Sequence, residues 1–186
     1  MLVRELLATV AKMVESSELA QAITNKTEKN DAVFKEKTDK LLACFNSVQT
    51  DIAVNYLAPT ARKDLTEKST SLDDISVGLI RVVGVYTKDG YAVNFDIVGD
   101  RLVVREKDCY AVYEYIPSDS AIDGEFYYKD KIIGARAFAY GVCSEYCLLE
   151  MSIEESFNWE SKYRQAVEIR TDYRKRRLKA RKGWGL

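Results

Sequence analysis

The stretch from Ala135 to Leu149 constrains this chain more than any other. It reads Ala-Arg-Ala-Phe-Ala-Tyr-Gly-Val-Cys-Ser-Glu-Tyr-Cys-Leu-Leu. Small and aromatic residues fall on more than one face of the helix it predicts, so most of that helix must be covered. Such a helix needs neighbours on several sides, from its own chain or from other subunits. Ser156-Phe157-Asn158-Trp159-Glu160-Ser161-Lys162-Tyr163 follows, an amphipathic segment whose continuation turns strongly basic.

Apolar spacing predicts three more helical segments. Leu2, Leu6, Val10, Met13 and Val14 set one stripe on a first helix over residues 2–22. Val33, Phe34, Leu41, Leu42, Phe45, Val48, Ile52 and Tyr56 set another over 31–57, which Pro59 ends. The covered helix spans about 130–150. Ser152 and Glu155 fit a capping box that opens a fourth helix. It runs to about residue 179, with Phe157, Tyr163, Ala166, Val167 and Arg170 on its stripe and Ile169 and Tyr173 beside it.

Between the second and third helices the period drops from about 3.6 to 2. Alternation over 78–87, 91–97, 101–106 and 109–116 predicts four short strands. Lys88-Asp89-Gly90, Gly99-Asp100 and Lys107-Asp108 supply the turns of a meander. Residues 62–74 read as a polar connector with room for one short edge strand. The expected fold is α+β: a four-helix bundle with a small antiparallel β meander inserted between helices 2 and 3, and a basic C-terminal extension. In domain terms, 1–61 is an N-terminal helical pair and 62–128 the inserted meander with its return loop. Residues 129–178 form a C-terminal helical pair that packs with 1–61 as one domain, and 179–186 is a basic tail.

Composition narrows the chemistry. No apolar run approaches the roughly 20 residues that span a bilayer, and no basic-then-apolar leader opens the chain, so no membrane partner or signal peptide is expected. Lys and Arg number 28 against 29 Asp and Glu, a net charge of −1 that exerts no overall pull on nucleic acid. There is no histidine, which removes the commonest general base and metal ligand. Cys44, Cys109, Cys143 and Cys147 show no disulfide-framework spacing and suit a reducing compartment. Cys143 and Cys147 lie four apart on one helix face, yet a zinc site needs four ligands, so core packing is the better account. Asp73-Asp74 reads as a solvated loop and Glu154-Glu155 as helix-start chemistry. No catalytic residue, cofactor site or metal site emerges.

Three features point outward. Gly134 and Gly141, with Ala137 between them, allow close backbone approach, which packing within the chain's own helices explains as well as a subunit contact. Tyrosines outnumber phenylalanines 12 to 6, and Tyr110, Tyr113, Tyr115, Tyr127 and Tyr128 cluster near the end of the β segment. Of these, Tyr113, Tyr115, Tyr127 and Tyr128 are interface candidates, because tyrosine suits half-buried surfaces; an ordinary sheet face accounts for them too. The largest charge asymmetry is C-terminal: from Arg170 onward come Arg174, Lys175, Arg176, Arg177, Lys179, Arg181 and Lys182, opposed only by Asp172 and followed by Trp184. A basic arm with a terminal aromatic suits docking on acidic protein or phosphate backbone.

Residues 41–53 (Leu-Leu-Ala-Cys-Phe-Asn-Ser-Val-Gln-Thr-Asp-Ile-Ala), 136–148 and 159–166 resemble the helices of small head–tail connector (adaptor) proteins of tailed bacteriophages and prophages. The ending Lys179-Ala180-Arg181-Lys182-Gly183-Trp184 is similar to theirs, although an Arg directly before the Trp is the expected pattern. The resemblance implies a non-enzymatic virion subunit, assembled in the bacterial host cytoplasm, that forms a homo-oligomeric ring, commonly of twelve. It also implies the portal protein and further neck or tail proteins as partners, with packaged DNA as a non-specific contact. From another class, a small cytoplasmic nucleic-acid-binding or regulatory protein using the basic arm is the alternative.

Overall fold

The computed structural model describes residues 2–14, 16–128 and 133–182, with side chains described as far as Ile169. Among these residues the chain forms six α-helices and two antiparallel sheets of seven strands in all. It divides into two compact units, a helical one from 1–51 with 119–186 and one from 52–118 that holds every described strand. The expected four-helix bundle with one small meander is therefore corrected on both counts.

The predicted first helix is two helices, α1 (Val3–Met13) and α2 (Ser17–Asn25), packed on each other. The break falls at serine, which competes with helical backbone for hydrogen bonds. There the Ser16 amide donates to the Ala11 carbonyl at 2.8 Å, five residues back. Lys26 ends α2 in a left-handed conformation, φ 59°. Asp31 caps α3 (Ala32–Asp51), its carboxylate accepting from the amides of Val33 at 2.8 Å and Phe34 at 3.3 Å. A π-helical stretch, Ile52–Tyr56, follows directly. The short α4 (Leu72–Ile75) belongs to the other unit.

The covered helix is α5 (Ala135–Leu149), and its neighbours α1, α3 and α6 (Ile153–Lys182) come from within the chain. Phe138 is fully buried, with ring centres 5.6 Å from Phe45, 4.5 Å from Phe126 and 5.4 Å from Tyr128. Gly141 lets α3 and α6 approach: a Cβ there would sit 2.9 Å from Val48 Cγ1 and 3.1 Å from Tyr163 Cδ2. Gly134, its supposed companion, is the residue before the helix rather than part of it. One turn on from Gly141, Ser144 and Ser156 exchange hydrogen bonds, each hydroxyl donating to the other's carbonyl at 3.0 Å. The inward stripe of α6 is thus Ser156, Tyr163 and Val167, while Phe157 and Ile169 stand exposed. Glu155 faces the Cys147 thiol, which donates to it at 3.8 Å, and the helix begins with the Ser156 amide donating to the Ser152 carbonyl at 3.0 Å.

The return loop closes this unit on α1. The amides of Val3 and Arg4 donate to the carbonyls of Gly124 at 3.1 Å and Ile122 at 2.9 Å. Arg4, only 5% exposed, donates to the Ile23 carbonyl at 2.8 Å, to Glu28 at 2.9 Å and to Asp123 at 2.8 Å.

In the other unit the strands are β1 (Thr60–Leu65), β2 (Ser69–Ser71), β3 (Leu79–Thr87), β4 (Ala92–Val93), β5 (Phe95–Val98), β6 (Arg101–Val104) and β7 (Cys109–Tyr115). They form two sheets, ordered β1-β7-β3-β4 and β2-β6-β5. The turn at Lys88-Asp89-Gly90 is present, Gly90 at φ 88° and the Thr87 amide donating to the Tyr91 carbonyl at 2.8 Å. Its second strand ends after two residues, however, and β5 joins the other sheet. The long partner of β3 is β7, paired from Leu79–Tyr115 to Thr87–Cys109 with two bulges. Where 62–74 reads as a connector with room for one short edge strand, two strands form, β1 and β2, each at the edge of a different sheet. Both sheets bury side chains in one core: Leu65, Val85, Cys109 and Ala111 from the first, Leu102 and Val104 from the second, with Val93 and Ile75.

Two measurements probe the helical unit. Alanine gains about 1 kcal/mol over glycine in helix propensity. At Gly141, however, it meets stiff Val48 and a Tyr163 ring whose hydroxyl is tied to Asp51 at 2.5 Å. Overpacking costs about 1–3 kcal/mol, which outweighs the propensity gain, so Gly141→Ala is expected to lower the urea midpoint, a net loss of up to about 2 kcal/mol, with the slope unchanged. The second concerns pH. The Arg4 guanidinium, helped by Lys26, holds the Asp123 carboxyl below the usual aspartate range. A depressed folded pKa stabilises above the unfolded value near 4 and is lost as pH falls through the folded one. Below about pH 4 the melting temperature of the native chain should fall more steeply than that of Asp123→Asn. Parallel curves would detach Asp123 from the clamp.

Candidate functional site

The basic docking candidates Arg174, Lys175, Arg176, Arg177, Lys179, Arg181 and Lys182 lie on the backbone of α6, and their side chains are outside the described residues. Trp184 lies wholly outside them. At 1.5 Å per residue the 30-residue α6 is about 45 Å long, and α5, of 15 residues, can pair with only half of it. Residues 170–182 contain eight of the 28 cations and one of the 29 carboxylates, a net charge of +7. The remaining 20 cations and 28 carboxylates leave the rest of the chain at −8. A nearly neutral sequence is therefore a strongly acidic body with a strongly basic helix end.

The four tyrosines divide between the units. Tyr113 and Tyr115 are half-buried on β7, a strand flanked on both sides, and Tyr113 packs against the sheet core. Tyr128 is 1% exposed within the Phe45–Phe126–Phe138 cluster of the helical unit. Its assignment to a partner surface is corrected: the hydroxyl-bearing ring fills the core. Tyr127, beside it, remains half-buried.

A cleft of about 540 Å³ that no sequence pattern singled out lies between α1, α5 and α6. Leu6, Thr9 and Met13 line it from α1, Ala135, Arg136, Ala139 and Tyr140 from α5, and Trp159 and Lys162 from α6. The Tyr140 and Trp159 rings stack at 5.7 Å. Each carries a cation. Arg136 Nε donates to the Tyr140 hydroxyl at 2.6 Å with its guanidinium carbon 5.5 Å from the ring centre, and Lys162 Nζ lies 4.1 Å from that of Trp159. No carboxylate lines the cleft among the described residues.

At the turn between α5 and α6 the opposite character appears. Leu148, Leu149, Ile153 and Phe157 are more than half exposed, and Met151 is 84% exposed. Met151 also adopts φ 60°, with the Ser152 amide donating to the Cys147 carbonyl at 2.8 Å. Helix ends of this geometry favour glycine, because a side chain there costs roughly 1–2 kcal/mol.

The four cysteines are free thiols and all are buried. Burial pushes the Cys44 and Cys143 thiols up to about 12, and raises those of Cys109 and Cys147 as well. Carboxylates from three helices do approach one another: Glu145 is raised by desolvation and by its neighbours Glu160 and Asp51. Among the described residues no group of three Cys, Asp or Glu is placed to hold a metal ion. No helix among them is long and apolar enough to cross a membrane. Since only thiolate is nucleophilic, all four cysteines should resist iodoacetamide at pH ~8 in the folded chain and react together on unfolding. Rapid labelling of Cys143 or Cys147 in the native state would contradict this.

No protein-family model and no curated protein sequence matches this chain.

Proposed function

We propose that this chain is a non-enzymatic assembly subunit, a head–tail connector of a phage neck. In this proposal it packs with copies of itself in a ring and meets the portal and a further neck or tail protein. The observation that carries the reading is the separation of charge: a body of −8 and a helix end of +7 on one chain. Opposite charges on one subunit favour head-to-tail association, in which the arm of one copy lies on the body of the next. Such heterologous contacts make rings when the rotation between copies closes, the outcome proposed for this chain. The exposed apolar turn, built around a methionine where glycine would be easier, adds surface that gains by being covered. The resemblance of residues 41–53, 136–148 and 159–166 to phage connectors supplies the virion setting, with assembly in the host cytoplasm.

Nucleic-acid binding through the same arm is the second reading, favoured by the cation density of residues 170–182. The net negative charge of the rest of the chain weighs against it at low salt, where screening is weak and that charge repels a duplex seated on the arm. Light scattering separates the two, on the full chain alone and mixed with a purified phage portal protein. A ring-sized particle or a stable portal complex is expected, lost when residues 170–186 are removed. Assembly that survives the truncation would refute the role of the arm. A monomer that ignores portal but retards duplex DNA at low salt would establish the second reading instead.

A further inference from the structure

We infer that the cleft between α1, α5 and α6 is a docking site for an acidic segment of a partner protein, which inserts one bulky apolar side chain between Leu6, Met13 and the Trp159 ring. This stands on the cleft itself and holds whether or not the chain assembles into rings.

Three properties select the occupant. The first is shape. Ala135, Ala139 and Thr9 are short, so three helices part to leave a pocket of about 540 Å³ without a large side chain of their own to fill it. That size lies within the range of specific ligand sites. The second is the wall. Leu6 is buried, and Met13, Tyr140 and Trp159 are half-buried, so apolar and aromatic surface faces the space. Anchor side chains that dominate protein interfaces fill pockets of this kind.

Charge is the third. In a body of net charge −8, this cleft gathers Arg136 and Lys162 with no described carboxylate among its lining residues. By contrast Lys40, Arg81 and Arg164 sit against carboxylates. Arg136 and Lys162 are instead held over Tyr140 and Trp159, so the rings fix them at the mouth with charge to spare. A carboxylate flanking the inserted side chain is the complement of that arrangement. Rings and cations also bind single-stranded nucleic acid. Such sites track a backbone over about four nucleotides or more, and two cations at one pocket do not.

The test uses the full chain and follows the Trp159 indole N–H in nitrogen-15 spectra, assigned with Trp159→Phe. The probe is the peptide acetyl-Asp-Glu-Leu-Phe-Glu-Asp-amide, set against the same peptide with both Leu and Phe replaced by Ser, a Lys-flanked Leu-Phe peptide, and oligo-dT of ten nucleotides. Binding to the basic arm does not depend on Leu and Phe, which separates arm from cleft. The acidic Leu-Phe peptide is expected to shift the Trp159 signal saturably, and the other three not. Arg136→Glu with Lys162→Glu should weaken that binding roughly tenfold or more. Thr9→Trp, which crowds the mouth, should abolish it. All three positions are exposed, so the variants should fold, as far-ultraviolet circular dichroism would verify. A serine peptide that binds as well, a Lys-flanked peptide that binds better, an unmoved Trp159 signal, or binding indifferent to these substitutions would each overturn the inference. Oligo-dT displacing the peptide would reassign the cleft to nucleic acid.

Discussion

Arg4 joins the two chain segments of the helical unit, 1–51 and 119–186, by charge from a buried position. Its guanidinium reaches three elements at once: the end of α2 at Ile23, the turn containing Glu28, and the return loop at Asp123. Asp123 is half exposed, but Arg4 and Glu28 are buried, and breaking such a buried pair from one side costs about 3–5 kcal/mol. A well-packed apolar substitute for the pair could be equally stable, so the pair matters more for arrangement than for net energy. Apolar contact alone does not specify how far α2 folds back on α1. A guanidinium with fixed donor directions does. The backbone bonds from Val3 and Arg4 to the return loop then follow in register.

Once those segments are aligned, α5 occupies the centre and its small residues decide how closely the others approach. Gly141 admits Val48 and Tyr163, and the Ser144–Ser156 exchange keeps α6 near enough for hydroxyls to reach the opposite carbonyls. Larger residues at these positions would open the α5–α6 pair and with it the aromatic core around Phe138. The close packing lasts to Cys147. Leu148 and Leu149, at the end of the same apolar run, emerge into solvent. A helix apolar on nearly every face thus finds its neighbours within the chain along most of its length and leaves its last turn uncovered.

Spacing in the sequence was informative where a side chain answers to its own helix and silent where two elements meet. The stripes of α1 and α3 and the smallness at Gly141 are visible in the letters. The break at Ser16 is not, because Leu19 and Ile23 continue an apolar pattern with the bend hidden in it. β1, Thr-Ala-Arg-Lys-Asp-Leu, carries almost no alternation because an edge strand exposed along most of its length has no buried face to record. Without it, the sequence places β7 after β6 in one meander, whereas β7 pairs with β1 and β3. On α6, the chemistry of Phe157 points to the core and that of Ser156 does not, yet Phe157 is exposed and Ser156 buried, because serine is what the close approach to Ser144 requires. The cleft is the same lesson: Arg136 with Tyr140 and Lys162 with Trp159 each show a helical spacing of four or three, and only the pairing of α5 with α6 brings the two rings into one stack.

Charge in this chain divides attraction from selection. At physiological salt fields between exposed charges decay over about 8 Å, so an arm of net charge +7 on a helix end acts mainly by raising the rate and tolerance of encounter. It discriminates poorly, since any acidic surface satisfies it. The cleft is the reverse. Two cations add little long-range pull to a body of −8, but they are held on rings at the mouth of an apolar pocket, where a partner must present shape and charge together. Contacts of that kind lengthen residence rather than speed arrival. The proposed assembly role calls on both, and they are carried by separate stretches of the same helix: Trp159 and Lys162 early in α6, the cation run from Arg170 onward at its end.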